Sequence, residues 1–218
     1  MTDDPRTVVH LIRHGEVHNP TGVLYGRLAG FNLSELGAQM AERVADWLGT
    51  NDVTHLVASP LERAQQTATP IAKRFGLDIE TDERVIEADN SFEGKIFGVG
   101  DGALLHPRSW WLLRNPTTPS WGEPYKQIAA RMTAAIHDAR DAAVGHETVI
   151  VSHQLPVWVA RLAVESRRFV HDPRRRECTL ASVTSLTFRG VAVVSVAYNE
   201  PARDLLPVRQ TKKFVAGA

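Results

Sequence analysis

The sequence predicts an α/β protein, a three-layer α/β/α sandwich built on a mostly parallel sheet. Three short and almost continuously apolar segments, residues 7–12, 54–59 and 147–152, have the composition of strands that are covered on both faces. Amphipathic helical patterns lie between them, which is the alternation that parallel strands require for their crossover connections. The 218 residues are enough to bury a substantial core, and we expect one domain spanning 1–218.

The predicted helices have recognisable ends. We expect helices at residues 34–49, 61–75, 123–143 and about 156–164. Ser34 is the candidate N-cap of the first helix, and Gly49 closes it. Ser59 is the candidate N-cap of the second helix, where Pro60 suits the first turn and Gly76 is the stop signal.

The last third of the chain predicts an antiparallel hairpin. Segments 181–188 and 191–199 are rich in β-branched residues and are separated by Arg189-Gly190, which indicates a turn. This hairpin would close one edge of an otherwise parallel sheet.

The composition argues against several classes of partner. Basic and acidic residues number 25 each, so the zero net charge favours neither a nucleic acid nor a membrane surface as partner. Cys178 is the single cysteine, which excludes an internal disulfide and fits a reducing compartment. The apolar runs are too short for a signal peptide or a membrane span. We therefore expect a cytoplasmic protein, and the sequence leaves a homodimer open.

Polar residues of one chemical character follow three of the predicted strands. Arg13 and His14 end the first, Arg63 follows the second after a short turn, and Ser152 and His153 end the third. Ligands of open α/β sheets bind at the carboxyl ends of the strands, so these side chains are expected to converge. Guanidinium groups fork onto phosphoryl oxygens, and amides at helix starts attract the same anion.

The alternative is that these residues are separate capping and surface groups. An Arg-His-Gly triplet occurs by chance, and a histidine at a strand end is more often structural than catalytic. Three independent strand-end matches together favour a phosphate site over that alternative. Gly15 would then let the backbone approach the bound phosphate closely.

Four segments resemble a known family. "LIRHGEVHN", "ASPLERAQQTA", "ERVIEADNSFEG" and "VIVSHQ" are similar to the signature blocks of the histidine phosphatase superfamily, in its phosphoglycerate-mutase-like branch. The resemblance implies that His14 is the nucleophile, that Glu87 is the proton donor, and that a phosphate pocket is formed by Arg13, Arg63 and His153. It further implies that three residues contact substrate: Asn19 at the phosphate, Arg27 at the pocket mouth and Gln154 through its backbone N–H.

The physical chemistry agrees with these roles. Two flanking arginines disfavour the imidazolium form of His14, which leaves a neutral nucleophile. The arginines and His153 supply the positive charge that a metal ion would otherwise supply, so we expect neither a metal nor a cofactor. Glu83, Asp89 and Glu93 lie in the same segment as Glu87, and the first acid after the apolar "RVI" is favoured as the proton donor.

Three functions are consistent with this pattern. The first is a phosphomonoester phosphatase acting through a phosphohistidine on a small phosphorylated metabolite. The second is a cofactor-dependent phosphoglycerate mutase, and the third is a non-catalytic phosphate-binding module. Every chemical role has a candidate residue, which disfavours the third. "RHGEVHNP" and "GRLAGFNLSELG" depart from the usual mutase form, which favours the phosphatase.

Two further segments carry expectations about the surface. Residues 95–124 break the strand-helix alternation with glycines, prolines and tryptophans, and we expect a lid over the catalytic edge. Residues 167–177 are locally basic, and we expect a solvated connection there rather than an anion site.

Overall fold

A computed structural model of the chain describes residues 4–90, 93–94 and 122–206. These residues contain a six-stranded sheet with the order β3-β2-β4-β1-β5-β6. The strands are β1 Arg6–Arg13, β2 Val53–Ala58, β3 Glu80–Thr81, β4 Glu147–Ser152, β5 Val183–Arg189 and β6 Ala192–Asn199. The first four strands pair in parallel, and β5 and β6 add an antiparallel hairpin to the free edge of β1.

In the described ranges, two helices cover each face of the sheet. They are α1 Glu35–Leu48, α2 Glu62–Phe75, α3 Tyr125–Ala142 and α4 Gln154–Val164. Alternate residues of β1 point to opposite faces, as a strand requires. Ile12 packs with α1 and α2, whereas Leu11 packs with α3 and α4. The three-layer α/β/α prediction with a mostly parallel sheet is therefore confirmed.

The helix ends show which boundary signals were interpreted correctly. The Ser34 hydroxyl accepts the Gly37 N–H at 2.9 Å and caps α1, and Gly76 ends α2 with a φ of 66°. The prediction for Ser59 is wrong. The N-cap of α2 is Leu61, which offers no side-chain hydrogen bond, and Pro60 lies before the helix. Two residues, Pro60 and Leu61, separate Ser59 from Glu62, the first residue of the helix, so the Ser59 hydroxyl does not cap α2.

Some expectations lie outside the described residues. The predicted lid, residues 95–124, is such a segment: only its last residues, 122–124, are described, and they lead into α3. Within the described ranges, no helix is both long and apolar enough to cross a membrane.

Candidate active site

The parallel pairing of β1 with β4 brings two histidines together. Arg13 is the register partner of Ser152, and the His14 N–H donates to the Ser152 carbonyl at 3.1 Å, which extends the ladder past both strand ends. The next residue of each chain segment is then a histidine. The ring centroids of His14 and His153 lie 5.1 Å apart. The sheet register therefore produces the predicted convergence.

Arg63 reaches the same place from the first turn of α2. Its side chain is fully buried, with 0% of its surface exposed, and its guanidinium lies 4.7 Å from the centre of the Tyr25 ring. Its Nη2 donates to the Gly26 carbonyl at 2.5 Å. Arg13 is fixed in a similar way, because its Nη1 donates to the Cys178 carbonyl at 2.8 Å. We call Arg13, His14, Arg63 and His153 the basic cluster.

The basic cluster holds several buried polar atoms without a partner in the described part of the chain. They are Nε of Arg13, Nε and Nη1 of Arg63, and Nδ1 of His153. A buried donor that is left unsatisfied costs about 1–3 kcal/mol, and more when it is charged. Donors of this kind that surround a reactive side chain are typical of a site that is completed by an anion.

The hydrogen bond of His14 defines which ring nitrogen carries the proton. Nδ1 lies 2.8 Å from the Gly15 carbonyl oxygen, which can only accept, so Nδ1 carries the ring proton. Nε2 then presents a lone pair. Burial, followed by the charges of Arg63 and Arg13, holds the pKa of His14 well below its usual value. The imidazole is therefore neutral near pH 7, with its lone pair on Nε2.

The predicted approach of the Gly15 backbone to a bound phosphate stays a prediction, and the structure shows two contacts of Gly15 with the protein. Its N–H donates to the Thr67 hydroxyl at 3.1 Å. A Cβ added at Gly15 would lie 2.5 Å from the carbonyl oxygen of Gly37 in α1. The glycine is thus required for the close contact between this loop and α1, which sets the position of His14.

His153 is oriented by Ser59, which the sequence pattern predicts as a helix N-cap. Its Nε2 lies 2.7 Å from the Ser59 hydroxyl, at the end of β2. Burial lowers the pKa of His153 well below its usual value, and His14 and Arg63 add to the shift. The neutral ring has one proton, and a Ser59 hydroxyl that donates to Nε2 leaves that proton on Nδ1. Nδ1 is then a donor toward an anion.

Replacing Ser59 by alanine should lower kcat by about 10-fold, because one neutral hydrogen bond that orders the His153 tautomer is lost. Nitrogen chemical shifts of the His153 ring should move toward a mixture of tautomers. Thr69→Ala is the matched control, since it removes an exposed hydroxyl of α2 that bonds only to the Gln65 carbonyl among the described residues. An unchanged kcat and unchanged shifts in Ser59→Ala would contradict this role.

Glu87 follows a 3₁₀ turn at Glu83–Val85 and is held at the site by its backbone. The Ser152 hydroxyl donates to the Val85 carbonyl at 2.7 Å, which ties this segment to the end of β4. Burial raises the pKa of Glu87, although its bond to the Ala88 N–H and the charge of Arg63 oppose the shift. A carboxyl group with a raised pKa can hold a proton for transfer.

Arg27 supports this acid segment. Its Nε donates to the Glu87 carbonyl at 2.7 Å, and its Nη2 forms an ion pair with Glu123 at 3.1 Å. Glu93 in turn accepts the Arg27 backbone N–H at 2.8 Å, which gives Glu93 a loop-ordering role. The described contacts of Arg27 are therefore with the protein, and its predicted contact with substrate stays a prediction.

Asn19 and Gln154 differ in where the structure places them. Both polar atoms of the Asn19 amide bond to the backbone of Val23, so the side chain closes a local turn. Gln154 is the first residue of α4, directly after His153, and its backbone N–H belongs to the unpaired first turn. Its side chain accepts a hydrogen bond from Arg176. A backbone contact with phosphate remains a prediction for Gln154.

Four residues near the basic cluster were not predicted from the sequence. Ser59 and Thr67 orient the histidine loops, Tyr25 stacks on Arg63, and Arg176 binds Gln154.

Arg176 lies in segment 167–177, which we expected to be a solvated connection. Arg175 and Glu177 are exposed as expected, but Arg176 is partly buried, so the expectation is wrong at this residue. A run of charges in a sequence does not distinguish its one inward-facing member.

Across the described ranges, no group of three or more His, Cys, Asp or Glu side chains is arranged to hold a metal ion.

Comparisons with known proteins give the family. A model of the Histidine phosphatase superfamily (branch 1) matches residues 9–201. The chain is 60% identical over 196 residues to Uncharacterized protein Rv0525 of Mycobacterium tuberculosis (strain ATCC 25618 / H37Rv). The aligned region covers 90% of this chain and 97% of that protein.

Solved structures show the same fold. The mycobacterial glucosyl-3-phosphoglycerate phosphatase Rv2419c has a TM-score of 0.71 at 24% identity, covering 89% of this chain and 96% of its own. A phosphoglycerate mutase from Bacillus anthracis str. Sterne has a TM-score of 0.71 at 18% identity, covering 94% and 97%. Since the family model spans the chain from β1 to the residues after β6, the protein belongs to the histidine phosphatase superfamily (branch 1), with a phosphoglycerate-mutase-like fold.

Proposed function

We propose that this protein is a phosphomonoester phosphatase that acts on a small phosphorylated metabolite through a phosphohistidine at His14. The observation that carries the proposal is the state of His14: its proton is fixed on Nδ1, its Nε2 has no hydrogen-bond partner in the described residues, and it belongs to a cluster whose buried N–H groups also lack partners there. Such a site can accept a phosphoryl group and stabilise its charge without moving.

In the first step, Nε2 of His14 attacks phosphorus, and the phosphorus bond to the ester oxygen breaks. Charge on the equatorial oxygens is stabilised by the guanidinium groups of Arg13 and Arg63 and by Nδ1–H of His153. The leaving alkoxide takes the proton of Glu87, whose raised pKa supports its protonated form. The products of this step are the free alcohol, the Glu87 carboxylate and phosphohistidine.

In the second step, the Glu87 carboxylate takes a proton from water while the water oxygen attacks phosphorus. The bond between phosphorus and Nε2 breaks, which releases inorganic phosphate and restores the neutral imidazole. Glu87 ends the cycle protonated, so atoms and charges balance without a further reactant.

The mutase alternative differs only in the acceptor of the phosphoryl group. A panel of sugar phosphates, phosphoglycerates, nucleotides and phosphoamino acids, assayed in EDTA for released phosphate, tests the phosphatase. Interconversion of 2- and 3-phosphoglycerate is measured in parallel. Faster interconversion than phosphate release would assign the mutase, and neither activity, with phosphate binding retained, would assign a binding module.

The pH dependence of kcat/KM on alkyl phosphates should have two limbs. His14 must be neutral, so activity rises as pH climbs through its lowered pKa, well below 6.5. Glu87 must be protonated, so activity falls as pH rises through its pKa, which lies above 4.5. The Glu87→Gln variant has no titrating group at this position, so its pH profile should lack the alkaline limb. An identical alkaline limb in Glu87→Gln would show that another group, or the substrate itself, produces it.

A further inference from the structure

The segment before β5 lies against the basic cluster at two points. The Cys178 carbonyl accepts the Arg13 Nη1–H at 2.8 Å. Two residues earlier, Arg176 Nη1 donates to the Gln154 side chain at 3.1 Å, and Gln154 is the neighbour of His153 in the chain. These two bonds place Arg176 beside the site, between the ends of β1 and β4.

The guanidinium of Arg176 is held in one orientation by neutral groups. Its Nε donates to Nε2 of His171 at 2.8 Å. Nδ1 of His171 lies 2.5 Å from the Phe169 carbonyl, so the ring proton is on Nδ1 and Nε2 is an acceptor. Burial lowers the pKa of His171, and the charge of Arg176 adds to the shift, so the ring is neutral near pH 7.

The positive charge of Arg176 is therefore partly buried without a negative partner in hydrogen-bond contact. Among the residues that the structure describes, its hydrogen-bond partners are His171 and Gln154 alone. By contrast, Arg84, Arg131 and Arg161 each form an ion pair with a carboxylate. Taking a cation out of water without a hydrogen-bonded counter-charge is costly, and an oriented arginine of this kind is typical of an anion-binding position.

The surroundings of Arg176 indicate which part of a substrate it would meet. Arg13, Arg63 and His153 already supply donors for the transferred phosphoryl group. The positive charge of Arg176 acts on Glu87, and its effect is to lower the pKa of that carboxyl group. Of the three arginines whose charges act on Glu87, Arg176 is the one outside the basic cluster. Because Glu87 is the proton donor to the leaving oxygen in the proposed function, we place Arg176 on the side of the departing alcohol.

We propose that Arg176 binds a second anionic group, a carboxylate or a second phosphate, on the alcohol portion of the substrate. Gln154 and His171 are its positioning residues. The proposal rests on the proposed function, and it names the substrate class as phosphomonoesters whose alcohol portion is itself an anion.

Matched substrates isolate this second group. 3-Phosphoglycerate and glycerol 3-phosphate differ by a carboxylate in place of a hydroxymethyl group, and fructose 1,6-bisphosphate and fructose 6-phosphate differ by a phosphate. The readout is the ratio of kcat/KM between the two members of a pair, which general damage to folding or chemistry leaves unchanged. Arg176→Gln should lower the ratio of at least one pair by about 10- to 100-fold, as expected for a hydrogen bond to a charged group.

Two variants serve as comparisons. Arg175→Gln removes the exposed neighbouring arginine and should keep the wild-type ratio. Arg176→Lys keeps the charge but cannot donate to Gln154 and His171 in the same fork, so its ratio should be intermediate. A fall confined to the first pair identifies a carboxylate, and a fall confined to the second identifies a phosphate. Unchanged ratios in both pairs for Arg176→Gln would overturn the proposal.

Binding to a protein without the nucleophile separates this proposal from the proposed function. In the His14→Ala background, calorimetry with 3-phosphoglycerate, glycerol 3-phosphate and the two fructose phosphates should show weaker binding of the more anionic member after Arg176→Gln. If the wild type releases no phosphate but this binding difference is present, the proposed function fails and the anion site stands. If the wild type releases phosphate but the binding difference is absent, the proposed function stands and the anion site fails.

Discussion

His14→Ala is expected to lower phosphate release by on the order of 10⁴-fold or more, because the nucleophile is removed and no other described side chain can replace it at that position. Steady-state release from an activated aryl ester is the measurement. The fold should be retained, since the described hydrogen bonds of the His14 ring reach only the adjacent Gly15 carbonyl. Thermal unfolding of the variant should therefore remain cooperative.

Two results would contradict this prediction. One is substantial turnover by His14→Ala with the buried arginines intact, which would mean that water attacks the ester directly. The other is a complete loss of turnover in His153→Ala combined with normal turnover in His14→Ala, which would exchange the roles of the two histidines. His153 is bound through Nε2 to Ser59, whereas Nε2 of His14 has no such bond among the described residues.

Glu87→Gln should slow attack on alkyl phosphates by about 10²–10⁴-fold, the usual contribution of a general acid. 4-Nitrophenyl phosphate has a good leaving group that needs little protonation, so its first step should be affected far less. The measurement is kcat/KM for both ester types, because this constant reports the first irreversible step.

Neighbouring acids provide the controls for Glu87. Glu93→Gln keeps an oxygen that can accept the Arg27 N–H, and Asp89 is exposed, so Glu93→Gln and Asp89→Asn should affect both ester types mildly and alike. A loss that depends on the leaving group in Glu83→Gln or Glu93→Gln, but not in Glu87→Gln, would move the proton donor to another position of the segment.

The sequence was sufficient for the fold because local and long-range signals agree. Apolar runs define β1, β2 and β4, and helical periodicity lies between them. Parallel pairing then requires that the residues after these strands meet at one edge, which is why Arg13, His14 and His153 could be placed together in advance.

The positioning residues could not be predicted, because their partners are distant in the chain. Ser59 precedes a helix and has the residue type of an N-cap, yet it bonds to His153, 94 positions away. The close contact of Gly15 with Gly37 was likewise not predicted, because Gly37 is 22 positions away in the chain. Arg176 looks like its exposed neighbours in the sequence, and only its contacts with Gln154 and His171 distinguish it.

The most direct test of the account is to trap and locate the phosphoenzyme. The protein is mixed with substrate, quenched in alkali within one turnover, and analysed by tandem mass spectrometry and by acid lability of the bound phosphate. We predict an acid-labile phosphate on His14 that forms and decays at least as fast as the enzyme turns over. A phosphate on His153, or turnover with no phosphoenzyme at any time point, would contradict the account.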